Sequence, residues 1–213
     1  TIEYAVTTGT LPTGLSLATA TGAITGTAGS VSADTTTTFS ITATDDENQT
    51  SASRSFSITV QNDAPSNHFN TVLYTGNQSA RSIAVGFEPG FTWIKERNDT
   101  DAHFLQDSVR GSTYTLYSNN TAAQFNETQA VTSFTSTGFN LGTYTGTNTT
   151  NNTYVAWNFK AGGAAVANDD GNVTSQVSVN NTLGFSIVSF SNNNSTTNTF
   201  GHGLGAQPEL VII

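Results

Sequence analysis

The chain has 213 residues, enough for one large or two ordinary domains, and its formal net charge of −9 argues against binding to nucleic acid or to an anionic membrane surface. It has no Cys, which excludes a disulfide framework and a thiolate metal site, and no apolar run approaches the length of a membrane helix. Only 10% of the residues are charged. The common polar residues are instead Thr, which favours strands, and Asn, Ser and Gly, which favour turns, so we expect an all-β fold.

The first 61 residues contain five strand-like segments separated by Gly, Pro and Asp turns. The last two alternate strictly, with apolar residues at every second position and Thr or Ser between them. This alternation is typical of strands half buried in a sandwich, and the polar run at 45–48 predicts the hairpin turn that joins them. The predicted strands are 2–7, 14–18, 23–28, 37–44 and 54–61.

Three motifs in this region carry a resemblance to a known family. LPTGL at 11–15, TGAITGT at 21–27 and the closing alternating pair of strands resemble the He-PIG immunoglobulin-like domain, which is related to cadherin-like sandwiches. The resemblance implies a spacer or adhesion module of the kind found in surface proteins and phage structural proteins. Such domains usually have one more strand before this point, so we expect the chain to be a segment of a longer protein.

A polar stretch at 63–67 contains Pro65, which disfavours a strand and predicts a linker after a first module at 1–62. Beyond it, strand-length segments recur at short intervals, which indicates a sandwich or jelly roll. We therefore expect tandem β-sandwich modules, the first immunoglobulin-like and the second jelly-roll-like. The predicted strands of the second region are 69–75, 81–86, 91–96, 102–107, 113–118, 131–135, 137–141, 153–159, 172–179, 184–190, 197–201 and 209–213.

Two stretches of the second region resemble each other. FNTVLYTGN and VGFEPGFTWI near its start have counterparts in FSIVSFSNN and LGAQPELVII near the end of the sequence. The separation of about 115–120 residues is that of a whole domain. We interpret 68–183 as one domain and 184–213 as the truncated start of a second copy. The alternative is that two hairpins of one sandwich merely look alike.

The same region resembles a second family through segments that occur in a conserved order. GFEPGFTWIKER, HFLQDSVRG, TSFTSTGFNLG, YVAWNFKAGG and GHGLGAQPELVII resemble a domain of uncharacterised function that is common in tail-fibre-like and other virion proteins of marine phages. The resemblance implies an extracellular, virion location and a structural or receptor-facing role. It also implies assembly with copies of the chain, as a homotrimer or another homo-oligomer, and contacts with other virion proteins and a host-surface receptor or glycan.

Acidic turn and linker residues are candidate calcium ligands, because Ca²⁺ prefers several hard oxygen ligands and cadherin-like modules hold it with such residues. The alternative is that Asp and Asn are simply the residues that hairpin turns prefer, and the motif lacks the second Asp expected before the linker. Calcium is the one cofactor that the sequence leaves open. The candidate ligands are Asp45, Asp46, Glu47, Asn62 and Asp63.

Aromatic residues offer a second kind of candidate site. Tyr114, Tyr117 and Tyr144 lie among Asn and Thr and are candidates for contact with a glycan or receptor. Trp93 and Trp157 lie in alternating apolar runs, and we expect them in the core of a sandwich rather than on a sugar-stacking platform.

Catalytic patterns are incomplete. The three histidines have no spacing that suits zinc. Ser108 lies beside Asp107 and near His103, but no nucleophile elbow or oxyanion motif accompanies these residues. We expect no enzyme. The sequence favours a structural component of a phage virion, a fibre or surface projection that mediates assembly and host attachment. The alternative is a bacterial cell-surface adhesin or a carbohydrate-binding module.

Overall fold

The computed structural model describes residues 1–193 and 195–213 and divides into two compact units, Thr1–Ala64 and Pro65–Ile213. Within those residues, strands make up nearly all of the regular structure, with one short helix and a 3-10 turn at Pro65–Asn67. The expected all-β class is therefore confirmed. The division after Ala64 falls inside the stretch predicted as a linker.

The first unit contains five strands, and each coincides with a predicted segment. They are β1 (Ile2–Gly9), β2 (Leu15–Leu17), β3 (Ile24–Gly26), β4 (Thr35–Asp45) and β5 (Arg54–Val60). The long strands form an antiparallel sheet in the order β1-β4-β5, and the short β2 and β3 form a separate hairpin. Phe39 of β4 is 1% exposed and stacks on its cross-strand partner Phe56, with ring centroids 6.0 Å apart.

Two glycines shape the β2–β3 hairpin, Gly14 of the LPTGL motif and Gly26 of the TGAITGT motif. Gly14 has φ +85° and Gly26 has φ +121°, backbone conformations that L side chains rarely adopt. A Cβ atom on Gly26 would lie 2.2 Å from the carbonyl oxygen of Gly14, and one on Gly14 would lie 2.1 Å from that of Thr27. The two strands approach so closely that only glycine fits at either position.

The described residues of the second unit form twelve strands and the short helix α1 (Thr145–Asn148). The strands are β6 (Phe69–Thr75), β7 (Arg81–Ala84), β8 (Phe91–Glu96), β9 (His103–Asp107), β10 (Gly111–Tyr117), β11 (Phe125–Asn126), β12 (Val131–Thr135), β13 (Gly138–Leu141), β14 (Thr153–Phe159), β15 (Val166–Asn168), β16 (Ser175–Asn180) and β17 (Phe185–Phe190).

The largest sheet of this unit has six antiparallel strands in the order β11-β10-β9-β8-β14-β6. Strands β8 to β11 follow one another as a meander, and β14 lies between β8 and the edge strand β6. Its register places Trp157 opposite Trp93, and Tyr154 opposite Glu96. These two cross-strand pairs mark the two faces of the sheet.

A sandwich core forms where the six-stranded sheet packs against a three-stranded sheet of order β12-β13-β7. The core combines residues from both sheets, including Ile94, Phe104 and Tyr154 from the larger and Ile83 and Phe139 from the smaller. The expected sandwich modules are confirmed. The second unit shares with a jelly roll the two packed antiparallel sheets, divided here into six and three strands rather than four and four.

A third sheet, of order β15-β16-β17, completes the second unit. Strand β17 pairs with β16 along its whole length, and its Phe185 stacks on Phe159 of β14, with ring centroids 5.1 Å apart. The residues at 185–190 thus pack within the same unit as β14. The interpretation of 184–213 as the start of a second copy stays a prediction.

The sequence and the structure differ mainly near the end of the chain. The expected strands at 197–201 and 209–213 are not strands, whereas the short β11 and β15 and the helix α1 were not predicted. None of the helices in the described residues has the length and apolar character needed to cross a membrane.

Candidate recognition surface on the second unit

The six-stranded sheet presents a second apolar face, opposite the sandwich core. Along β8 and β14, Ile94 and Ala156 point into the core, so their neighbours Trp93 and Trp157 point to the other side. Val155 of β14 lies on this side as well and is 9% exposed, although it does not belong to the core cluster. We call this side of β6, β8, β9, β10 and β14 the outer face.

Two tryptophans form the centre of the outer face. Trp93 and Trp157 are cross-strand partners whose rings meet edge to face, with centroids 5.9 Å apart and an interplanar angle of 72°. The indole Nε1–H of Trp93 donates a hydrogen bond to His103 Nδ1 at 2.8 Å. Both indoles are half-buried, so the outer face contradicts the expectation that they lie in the core.

His103 takes part in this cluster as a hydrogen-bond acceptor. Burial lowers the pKa of its imidazole below the usual 6.5, and the cation of Lys95 lowers it further. The ring is therefore neutral at pH 7, which leaves Nδ1 free to accept the indole hydrogen.

Lys95 provides the positive charge of the outer face. Its ammonium group donates hydrogen bonds to the backbone carbonyl oxygens of Glu96 and Asp99, the latter at 2.8 Å. No carboxylate within the described residues forms an ion pair with it. An ammonium group has three donors, so these two bonds leave one N–H of Lys95 without an acceptor among the residues that the structure describes.

The margins of the outer face differ in exposure. At one end Phe185 of β17 stacks on Phe159, which covers that end. Towards the edge strand β6, Leu73 is 61% exposed, and on β10 Tyr114 is 38% exposed. Apolar side chains with this exposure beside half-buried tryptophans are typical of a surface that contacts another molecule.

Residues 64–213 match the model of a family described as a domain of unknown function, DUF7483, and residues 1–61 match the He_PIG Ig domain. The chain belongs to the DUF7483 family. The predicted order of an immunoglobulin-like domain followed by a second, uncharacterised domain is confirmed, and the Ig domain indicates a surface or adhesion-type protein. No curated protein and no solved structure matches the chain.

A buried polar network braces the DUF7483 domain behind the outer face. Glu96 is 1% exposed, and its Oε1 accepts a hydrogen bond from Asn152 Nδ2 at 2.6 Å. The hydroxyl of Tyr154 donates to Glu96 Oε2 at 3.0 Å and accepts the backbone N–H of Thr149 at 2.9 Å. Burial raises the pKa of Tyr154 to about 12, so the hydroxyl keeps its proton. The network ties the loop after α1 to β8 and β14.

The three predicted glycan-binding tyrosines of the DUF7483 domain do not form one site. Tyr114 lies on the outer face, whereas Tyr117 and Tyr144 pack edge to face on Phe104 of the core, at 5.3 and 5.7 Å between centroids. Burial and a hydrogen bond with Tyr117 raise the pKa of Tyr144 to about 12. Of the three, Tyr114 alone is exposed on the outer face.

The structure also separates the predicted calcium ligands. Asp45 and its neighbours Asp46 and Glu47 follow one end of β4, whereas Asn62 donates its backbone N–H to Asp34 Oδ1 at the other end, 2.8 Å away. Asp45 is the last of the eleven residues of β4 and Asp34 directly precedes the first, so at a rise of about 3.3 Å per residue they are roughly 35 Å apart. The prediction of a single site that combines Asp45, Asp46 and Glu47 with Asn62 and Asp63 is therefore wrong.

The acidic turn has a structural role of its own. Asp45 Oδ1 accepts the backbone N–H groups of Glu47 at 3.1 Å and Gln49 at 2.7 Å, the pattern expected of Asp in a hairpin turn. No group of three or more His, Cys, Asp or Glu side chains in the described part of the chain is placed to hold a metal ion. Calcium binding by the residues at one end of β4 alone is not tested by these contacts.

The structure also separates two of the residues that a catalytic triad would need. His103 and Asp107 lie at opposite ends of β9. Asp107 forms an ion pair with Arg110, with 2.5 Å between Oδ2 and Nε, and its Oδ1 accepts the backbone N–H of Val109. Asp107 therefore stabilises the turn that begins beside Ser108.

Proposed function

We propose that the chain is part of a phage virion projection, a fibre or surface appendage, that attaches to a host surface. The Ig-like unit is the spacer, and the DUF7483 domain presents the contact surface. The observation that carries the proposal is the outer face, where the Trp93–Trp157 pair lies on the same side of the sheet as the exposed Leu73 and Tyr114. A surface of this kind favours binding to another molecule over chemistry on it.

The domain composition supports the same function. The Ig domain is a module of surface and adhesion-type proteins, and the motifs of the second unit resemble those of marine-phage virion proteins.

Assembly with copies of the chain is part of the proposal. Strand β6 is the edge of the six-stranded sheet and carries no charged side chain and no Pro. In the register of β6 and β14, the N–H of Lys160 donates to the carbonyl oxygen of His68, so the even-numbered residues of β6 direct their backbone groups toward β14. The N–H and C=O groups of the odd-numbered residues therefore point away from β14. Apart from Thr75, whose carbonyl oxygen accepts a hydrogen bond from Arg81, such an edge can pair with a neighbouring chain, which supports a homotrimer or other homo-oligomer.

Electron microscopy of the source particle tests the proposed function. Antibodies raised against the DUF7483 domain are bound to purified particles and located with gold. Gold at the projections of the virion is the expected result, and its position distinguishes a tail from a capsid attachment. Gold confined to the envelope of bacterial cells would overturn the proposal in favour of a cell-surface adhesin.

A further inference from the structure

The charge pattern of the outer face points to the chemistry of its ligand. Of the side chains that β6, β8, β9 and β14 present on this face, those of Lys95 and Asp107 carry a full charge. Asp107 is neutralised by Arg110, with 2.5 Å between the charged groups. Within the described residues Lys95 forms no ion pair, although the chain as a whole has a net charge of −9.

Lys95 is held in position rather than solvated freely. Two of its three N–H donors are fixed by the carbonyl oxygens of Glu96 and Asp99, and its cross-strand neighbours are Val155 and His103. His103 is neutral, and Val155 is apolar. A carboxylate that binds the third donor therefore meets a half-buried side chain whose ammonium group is already oriented, and the two form a charge-assisted hydrogen bond.

The aromatic part of the surface lies next to this cation. Trp93 is two residues before Lys95 on β8, which puts the two side chains on one face with about 7 Å between their Cα atoms. The Nε1–H of Trp93 is already used by His103. The indole therefore offers its ring to C–H groups and no further hydrogen bond.

A uronic acid unit has the two features that this arrangement requires. Its pyranose ring has a face of C–H groups that stacks on an aromatic ring, and its carboxylate is attached at the rim of the same ring. Stacking on an indole thus directs the carboxylate sideways. A polymer of such units repeats both features and fits a face that runs over several strands.

We propose that the outer face of the DUF7483 domain binds an acidic, uronate-type polysaccharide, with sugar rings against Trp93 and Trp157 and a carboxylate on Lys95 Nζ. This inference rests on the proposed function, since it names the chemical class of the host-surface ligand. Leu73 and Tyr114 extend the contact area on both sides of the tryptophan pair.

Calorimetry with two matched probes tests the inference. The full chain is titrated with an oligogalacturonate and with the same oligomer after full methyl esterification, which removes the charge and keeps the sugar. We expect the acid to bind at least about tenfold more tightly than the ester, the range of a hydrogen bond between charged groups. Equal affinity for acid and ester, or no binding of either, overturns the inference.

Variants assign the effect to the outer face. Lys95→Met keeps most of the apolar stem and should remove the preference for the acid over the ester. Arg54→Gln is the control, because it removes one positive charge from the Ig-like unit and should leave that preference unchanged. Leu73→Asp places a negative charge at a 61% exposed position and should weaken binding of the acid, with Leu73→Ser as its neutral control. A Lys95→Met protein that is folded by near-UV circular dichroism and keeps the preference contradicts the proposal.

Two further outcomes separate the possible failures. If polyglutamate competes with the oligogalacturonate as well as free oligogalacturonate does, the face binds acidic peptides and the glycan inference is overturned. If virions carry the chain but it binds no uronate, the inference alone fails. If uronate binding depends on Lys95 but the chain is absent from virions, the virion function fails and the inference stands.

Discussion

Lys95 and His103 are cross-strand partners on the outer face of the DUF7483 domain, and the cation of Lys95 contributes to a lowered pKa of the imidazole of His103. The neutral ring then accepts the indole hydrogen of Trp93. The charge, the histidine and the tryptophan pair are therefore coupled, and each of them can be tested separately.

The coupling predicts a change in the titration of His103. In Lys95→Met, the pKa of His103 should rise toward 6.5, because the nearby positive charge is gone while burial remains. The measurement is an NMR titration of the imidazole signals, with His202 as the internal reference. A pKa of His103 that is unchanged by the substitution would show that the two side chains are not coupled.

The lowered pKa of His103 also predicts how stability depends on pH. The unfolded chain binds a proton near pH 6.5, whereas the folded chain binds it only at lower pH. The stability that the neutral His103 contributes is therefore fully present above pH 6.5, and it is lost as the pH falls from 6.5 through the pKa of His103 in the folded chain. Denaturant unfolding of the wild type and of His103→Gln from pH 7.5 to 5 measures it, and the slope of stability against pH should be smaller in the variant.

The buried network behind the outer face predicts unequal effects of two tyrosine substitutions. Tyr154→Phe removes the donor to Glu96 and the acceptor of Thr149 N–H, which leaves buried polar groups unsatisfied and should cost about 2–4 kcal/mol. Tyr144→Phe removes a half-buried hydroxyl and should cost about 1 kcal/mol. Denaturant unfolding compares them, and equal losses would mean that the network does not stabilise the domain.

The hairpin of the Ig-like unit predicts an intolerance to a single methyl group. Gly26→Ala should destabilise this unit by about 2 kcal/mol or more, because the added Cβ lies 2.2 Å from a backbone oxygen at a φ of +121°. Gly29→Ala is the matched control, since its Cβ meets neighbours at 3.6 Å, an ordinary contact distance. Thermal unfolding should show a lowered midpoint in the first variant alone.

The separation of the acidic turn from Asn62 and Asp63 predicts the response to calcium removal. Because the five candidate ligands lie at both ends of β4, we expect EDTA to leave the unfolding midpoint of the chain unchanged. Asp45→Asn, which keeps an oxygen acceptor for the turn, should also have a small effect. A midpoint that rises by several degrees on addition of calcium would contradict this expectation.

Much of the fold follows from the sequence because strand alternation and turn residues are local signals. The five strands of the Ig-like unit and most strands of the DUF7483 domain are predicted this way, including Phe69–Thr75 and Thr153–Phe159 with their observed bounds. Strand β11 has two residues and β15 has three, too few to show a period.

The position of the tryptophans does not follow from the sequence. In β14, Tyr154 and Ala156 are apolar on one face, and Val155 and Trp157 are apolar on the other. A strand that is apolar on both faces gives no local indication of which face the second sheet covers. That choice depends on where β7, β12 and β13 pack, which is a property of the whole domain.

Two of the site predictions could have been corrected from the sequence. Tyr114 and Tyr117 are three residues apart on one strand, an odd spacing that puts side chains on opposite faces. The turn at 45–48 and the linker at 63–67 lie at opposite ends of an antiparallel pair, because the chain reverses direction between them. Both arguments need only the periodicity and direction of predicted strands.

Competition for adsorption tests the central claim, attachment through the outer face, most directly. Host cells are incubated with purified chain before addition of the phage particles that carry it, and the rate of adsorption is measured. The account predicts that the wild-type chain slows adsorption and that Leu73→Asp, although folded, slows it much less. Equal inhibition by both proteins, or no inhibition by the wild type, would contradict attachment through this face.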